Sequence, residues 1–257
     1  MKRTIMFMFV AFATMFMSVS CLSFGSFGKE YEDPDYAEIV TIVDGSYNTQ
    51  YYVEFDDGKT ASINSNKAGS SITFPSEPAQ MRGESRKLIF YNDAGKPEAG
   101  FDMSIDIMEM YNVSSELIKL TTDSKVESVL KEHNDNIAIN GVAYAKNRKY
   151  LTLQLCFYQS TELSYKHSIL VAHNPNKDGM FKEIYDDQKE ADNYLWLELY
   201  HDAAGDTTTN NMEVVYSSIK LDEEILGVTN ILNYKGIKII YNSIDVNAPV
   251  VHTYDFQ

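Results

Sequence analysis

The 257 residues carry 22 basic against 37 acidic side chains, a formal charge of −15, and 44% of them are hydrophobic. That balance argues against nucleic acid as a partner, because nucleic-acid binders need basic patches to displace counterions, and it fits a soluble domain held off an anionic membrane surface. Two cysteines, Cys21 and Cys156, cannot build a disulfide scaffold, so stability must come from hydrophobic cores, for which a chain of this length suffices.

Lys2 and Arg3 precede an apolar run from Ile5 to Phe16 that ends in the small residues Ser18, Val19 and Ser20. This is the pattern of a secretory signal peptide over residues 1–20, and at roughly 15 apolar positions the run is shorter than the ~20 a spanning helix needs. The next residue is Cys21, and "MSVSC" resembles a bacterial lipobox, in which the cysteine becomes the lipid-bearing first residue. Ser18 stands where Leu is usual, so ordinary cleavage after Ser20 is the alternative. Loss of the leader, whose only charges are Lys2 and Arg3, takes the net charge from −15 to about −17. Residues 21–36 then read as a flexible tether, with an acidic group at Glu30, Glu32, Asp33 and Asp35 that lacks calcium-loop spacing.

From 37 to 113 short strands alternate with turns. "YYVEF" sets Tyr51, Val53 and Phe55 against Tyr52 and Glu54, and "DDGK" is a hairpin signal of the Asp-Gly type. "FDMSIDI" places Phe101, Met103, Ile105 and Ile107 on one face. Four or five strands in about 77 residues suit a small barrel. Residues 114–136 lose the period-two alternation and are read as an interdomain connection, with a short helix expected over Lys125 to Glu132. Alternation resumes over 137–257: Leu151, Leu153, Leu155 and Phe157 share one face of a strand, and Leu195, Leu197 and Leu199 share one face of another. "MEVVYSSIKL" and "GIKIIYNSI" add two more strands, and the spacing predicts an antiparallel β-sandwich.

Motifs for chemistry are sparse. "DGKT" contains the Gly-Lys-Thr of a phosphate loop, but Val53 stands where the pattern needs Gly, so it is a hairpin turn. His167 and His173 share a strand face by parity but sit about 20 Å apart at ~3.3 Å per residue, too far for one metal. His133 and His252 lie in polar or terminal stretches, and no zinc-protease helix, nucleophile elbow or cofactor motif occurs. The richest stretch is "NYLWLELYHDAAGDTTTNN", residues 193–211. In a strand adjacent side chains point oppositely, so His201 falls with Leu195, Leu197 and Leu199 while Asp202 falls with Trp196, Glu198 and Tyr200. His201 and Asp202 therefore form no catalytic dyad. His201 is expected at the rim of the core and "AAGD" as a turn. The aromatic strip Tyr194, Trp196 and Tyr200 is the candidate ligand-binding surface for a sugar or a protein.

"YLWLELYHDAAGD", "VVYSSIKL" and "GIKIIYN", together with the leader ending at Cys21, the acidic tether and "IVTIVDGSYNTQYYVEFDDGKT", resemble the NigD-like lipoproteins of Bacteroides-type bacteria over nearly the whole chain. The resemblance implies an all-β protein, an N-terminal OB-like barrel followed by a C-terminal immunoglobulin-like antiparallel β-sandwich, and it brings no catalytic residues with it. The function expected is that of an outer-membrane lipoprotein anchored at Cys21 that binds a partner protein or glycan without catalysis, cofactor or metal. An enzyme or inhibitor with a site built from dispersed loops, or a structural spacer, are the alternatives. Acidic residues begin only at Glu30, so the tether lacks the acidic cluster directly after Cys21 that marks surface export, and periplasmic and surface-facing orientations stay open.

Overall fold

The structure is a computed structural model that describes residues 34–44, 51–66, 85–115, 117–120, 130, 134–145, 149–161, 165–187 and 193–256. The leader, Cys21, most of the tether and all but Leu130 of the helix expected over Lys125 to Glu132 lie outside them. The chain separates into two compact units, Met1–Val113 and Ser114–Gln257.

The first unit is a closed barrel of β1 (Tyr36–Asp44), β2 (Tyr51–Phe55), β3 (Thr60–Asn66), β4 (Ser85–Asp93) and β5 (Met103–Asn112), in the order β1-β2-β3-β5-β4. The Asp-Gly signal delivers the β2–β3 hairpin: Gly58 adopts φ +87° and donates its N–H to the Phe55 carbonyl at 2.9 Å. The register shifts between Ile63 and Ser65 and between Phe90 and Tyr91, irregularities of the kind that bend strands in closed sheets. Val40, Ile42, Val53, Phe55, Ile89, Tyr91, Ile105 and Ile107 fill the interior, as their alternation requires. Arg86 is fully buried and binds Asp56 through both nitrogens of its fork, at 2.6 and 2.9 Å, and Thr41 at 3.1 Å. It thereby ties β4 to β1 and to the turn after β2.

The second unit is a sandwich. One sheet has the order β14 (Ala248–Asp255), β13 (Gly236–Ser243), β11 (Tyr194–Asp202), β10 (Ser168–His173) and β7 (Leu117–Lys119). The other runs β6 (Ser114–Ser115), β12 (Met212–Lys220), β9 (Tyr150–Tyr158) and β8 (Ala138–Ala145). Leu151, Leu153, Leu155 and Phe157 of β9 meet Leu195, Leu197 and Leu199 of β11, with Ile237 and Ile239 of β13, in one core. A short helix α2 (Glu223–Leu226), capped by the Asp222 carboxylate at the N–H groups of Glu224 and Ile225, adds Leu226 to that core.

The all-β class, barrel followed by sandwich, is as the sequence predicts. The pairing is richer than a purely antiparallel scheme, because β11 pairs with β13, β10 with β7 and β12 with β6 in parallel. Between β11 and β13 the chain passes through β12 in the opposite sheet, and that crossover lets it re-enter in the same direction. Ser114–Ser115 and Leu117–Lys119, read from sequence as part of a connection, are short strands at the edges of the two sheets. Segments of two and three residues are too short for alternation to register.

Leu155→Ala, at a position with no solvent exposure in the sandwich core, is expected to lower unfolding free energy by about 2–5 kcal/mol, read as a reduced midpoint in urea with an unchanged slope.

Candidate functional site: the two faces of β11

Strand β11 places Leu195, Leu197 and Leu199 toward β9 and turns Trp196, Glu198 and Tyr200 to the outside of its sheet. That outer face is covered. A 3-10 turn over Gly179–Phe181 runs into helix α1 (Lys182–Asp187), and Phe181 and Tyr185 come down onto the strand. Their rings lie 5.6 Å from Tyr200 and 5.3 Å from Trp196. Leu120, Leu130, Ala172 and Ile240 complete this second apolar layer.

The aromatic strip therefore differs from an open platform. Trp196 and Tyr200 are 4% and 3% exposed, because Phe181 of the 3-10 turn and Tyr185 of α1 pack onto them. Tyr194 alone keeps partial exposure, and its hydroxyl donates to Asp255 at 2.6 Å. Lys238 stands 4.8 Å from the Trp196 ring and 5.0 Å from that of Tyr194, and Lys177 5.7 Å from Trp196, so cations flank the indole.

Glu198 lies at the centre of this face with 1% exposure. Its carboxylate accepts the Tyr185 hydroxyl at 2.8 Å, the Asn174 amide at 2.8 Å, and the Tyr200 hydroxyl. Burial raises its pKa, and the three donors only partly offset that cost. Burial beside the same carboxylate also raises the pKa values of Tyr185 and Tyr200, which stay as hydroxyl donors. Asn174 additionally donates to the Asp178 carbonyl at 2.9 Å, so Glu198 fastens the turn that leads into α1.

At the end of β11 a second polar system appears. His201 is 2% exposed, and its Nδ1 lies 3.1 Å from the Asn136 carbonyl. Its Nε2 lies 3.0 Å from Nδ1 of His167, whose Nε2 is 3.2 Å from Asp206 Oδ2. Phe157 stacks on the His167 imidazole at 4.9 Å and packs tilted against that of His201 at 4.5 Å. Burial works to raise the Asp206 pKa, but the Ser160 N–H, the Thr208 hydroxyl and N–H, and His167 outweigh it and hold the carboxyl well below its usual range. Burial lowers the pKa of His201. His201 and Asp202 do diverge, as parity requires. The partner of His201 is His167, a pairing that the spacing of His167 and His173 does not reveal. His173 instead approaches the Trp196 carbonyl at 3.3 Å. The His167–His201 pairing depends on the β10–β11 register, Ile169 opposite His201, which no local pattern encodes.

Chemically, Glu198 is a buried carboxylate and His201–His167–Asp206 a buried acid–base chain, and every atom named is engaged by protein. Cys156, on the outer face of β9, accepts an amide N–H from Asn140 at 2.8 Å, and burial raises its thiol pKa, which disfavours the thiolate. Among the described residues no cluster of three or more His, Cys, Asp or Glu is arranged to hold a metal, and no helix is long and apolar enough to cross a membrane. Cys21 lies outside the described residues.

A closed five-stranded barrel followed by a sandwich with a covered outer face defines a two-unit all-β protein. Residues 118–256 match the NigD-like C-terminal beta sandwich domain, and the chain belongs to the NigD-like family. No curated protein sequence matches it. Several crystal structures share the fold. A Bacteroides vulgatus protein of unknown function has a TM-score of 0.61 at 16% identity, over 86% of this chain and 90% of its own. A NigD-like immunity protein from Bacteroides caccae has 0.58 at 16%, over 89% and 100%. A candidate lipoprotein from Bacteroides fragilis has 0.55 at 10%, over 86% and 98%.

Two substitutions separate the roles of Glu198. Glu198→Ala leaves Asn174, Tyr185 and Tyr200 without their acceptor and is expected to cost at least ~3 kcal/mol in urea unfolding. Glu198→Gln keeps an acceptor and removes the charge. An acid whose folded pKa is raised stabilises most below its ordinary value of 4.5 and loses that contribution as pH rises through its folded value. The stability difference between wild type and Glu198→Gln should therefore shift toward wild type on acidification from neutrality.

Proposed function

We propose that this NigD-like protein is an envelope-anchored, non-enzymatic binding protein, held in the outer membrane by lipid on Cys21 and engaging a partner protein or glycan. The observation that carries this reading is the closure of β11: Glu198 and the His201–His167–Asp206 chain, the groups best suited to chemistry, are spent on internal hydrogen bonds. What the protein then offers to others is the surface of its two β units, with the partly exposed Tyr194 as the remaining member of the aromatic strip. The Bacteroides caccae neighbour's description as an immunity protein favours a protein as the partner. The leader ending at Cys21 and the Bacteroides fragilis neighbour's description as a candidate lipoprotein favour the anchor. More than one acyl chain on Cys21 gives a stable attachment, whereas one chain binds marginally.

Cys21→Ser is expected to move the protein from the membrane fraction to the soluble fraction, and equal membrane retention of both forms would contradict the anchor. Cross-linking in intact envelopes followed by purification is expected to recover one protein or glycan with wild type at constant ratio. Recovery of the protein alone would contradict the binding function.

A further inference from the structure

The chain from Asn136 to Asp206 can be read by counting protons. Asn136 offers a carbonyl, so the proton in the first link belongs to Nδ1 of His201. Nε2 of His201 is then a lone pair and must accept from Nδ1–H of His167. The last link joins Nε2 of His167 to a carboxylate oxygen that already receives the Ser160 N–H. Three links between two terminal acceptors need three protons, and two neutral imidazoles supply two.

We propose that His201, His167 and Asp206 form a proton-locked clasp that holds one proton more than two neutral imidazoles carry, on Nε2 of His167, and that its loss or overfilling releases the rim of the sandwich. The clasp joins segments distant in sequence: 134–136, the stretch after β9, residues 165–167, and the turn after β11. That turn is built to be held. Ala204 and Gly205 take φ +52° and +81°, Asp202 accepts the Ala204 N–H at 2.7 Å, and Asp135 accepts the Ala203 N–H at 2.7 Å. Asp206 in turn receives the N–H groups of Ser160 and Thr208. The side chains of His167 and Asp206 are 4% and 2% exposed, so water cannot replace a lost link.

Among the described residues, the charged groups around the pair are Asp135 and Asp202 beside His201, Asp206 beside His167, and Lys166 next to it in sequence; β9 contributes the uncharged Phe157 against both rings. The three aspartates favour the extra proton. The direction of pH dependence follows. Removal of the third proton takes the donor out of the His167–Asp206 link. Burial lowers the His201 pKa, so acidification must go below the ordinary histidine value of 6.5 before protonation of His201 removes the lone pair that accepts from His167.

The direct test is ring-nitrogen NMR on the full-length protein in detergent, labelled with ¹⁵N-histidine. Near neutral pH the pair should show three N–H groups, two on His167 and one on Nδ1 of His201. Two neutral rings with one N–H each would overturn the proposal. Asp206→Asn removes the anion while keeping an acceptor, and the count should fall to two. Retention of three N–H groups in that variant would overturn the role of Asp206. The wild-type count stands by itself if the variant does not fold. Amide exchange at Ser160 and Thr208, corrected for intrinsic rates, should accelerate about tenfold or more on acidification through the His201 transition, and constant protection would overturn the release.

Discussion

Strand β11 has both faces buried, and the C-terminal unit is organised to satisfy both. A strand sends successive side chains to opposite sides, so one stretch of nine residues must find two apolar surroundings. Leu195, Leu197 and Leu199 find theirs in β9, while Trp196 and Tyr200 find theirs in the turn and helix at 179–187. The sandwich is thereby extended to three layers on this side, and its central sheet carries no open face at β11.

The constraint explains why polar groups collect there. A helix of six residues cannot hold itself on a sheet, and Glu198 provides a fixed acceptor for the hydroxyl and amide donors that bring it down. At the far end of the same strand, His201 donates to the Asn136 carbonyl of the entry segment at 134–136, and Asp135 of that segment accepts the Ala203 N–H of the turn 203–206. Both systems consist of residues that would suggest catalysis if met in isolation. In each, the partners lie in other segments of the unit and close the group off from solvent, which places these residues in the architecture of the domain.

Much of this was legible in the residues themselves. Alternation identified which leucines of β9 and β11 face inward, Asp-Gly located the β2–β3 hairpin, and parity separated His201 from Asp202. The cover over Trp196 was not legible, because Phe181 and Tyr185 sit in elements too short to show a helical period, and whether an aromatic face is covered depends on tertiary placement. The His167–His201 pairing was hidden for a similar reason: its geometry follows from the β10–β11 register and from loops that converge only in the folded chain. The parallel neighbours of β11 and β10 likewise arise from crossovers between sheets, which a local pattern does not record.

Trp196 is the chain's single tryptophan, so its fluorescence reports directly on the closure of β11. Stern–Volmer quenching by acrylamide, compared between the folded protein and the protein in high urea, is the measurement closest to the central claim. The structure predicts weak quenching in the folded state, since the indole is 4% exposed, and a steep rise on unfolding. Folded protein quenched as readily as unfolded protein would mean that the outer face of β11 is open, and would contradict the account.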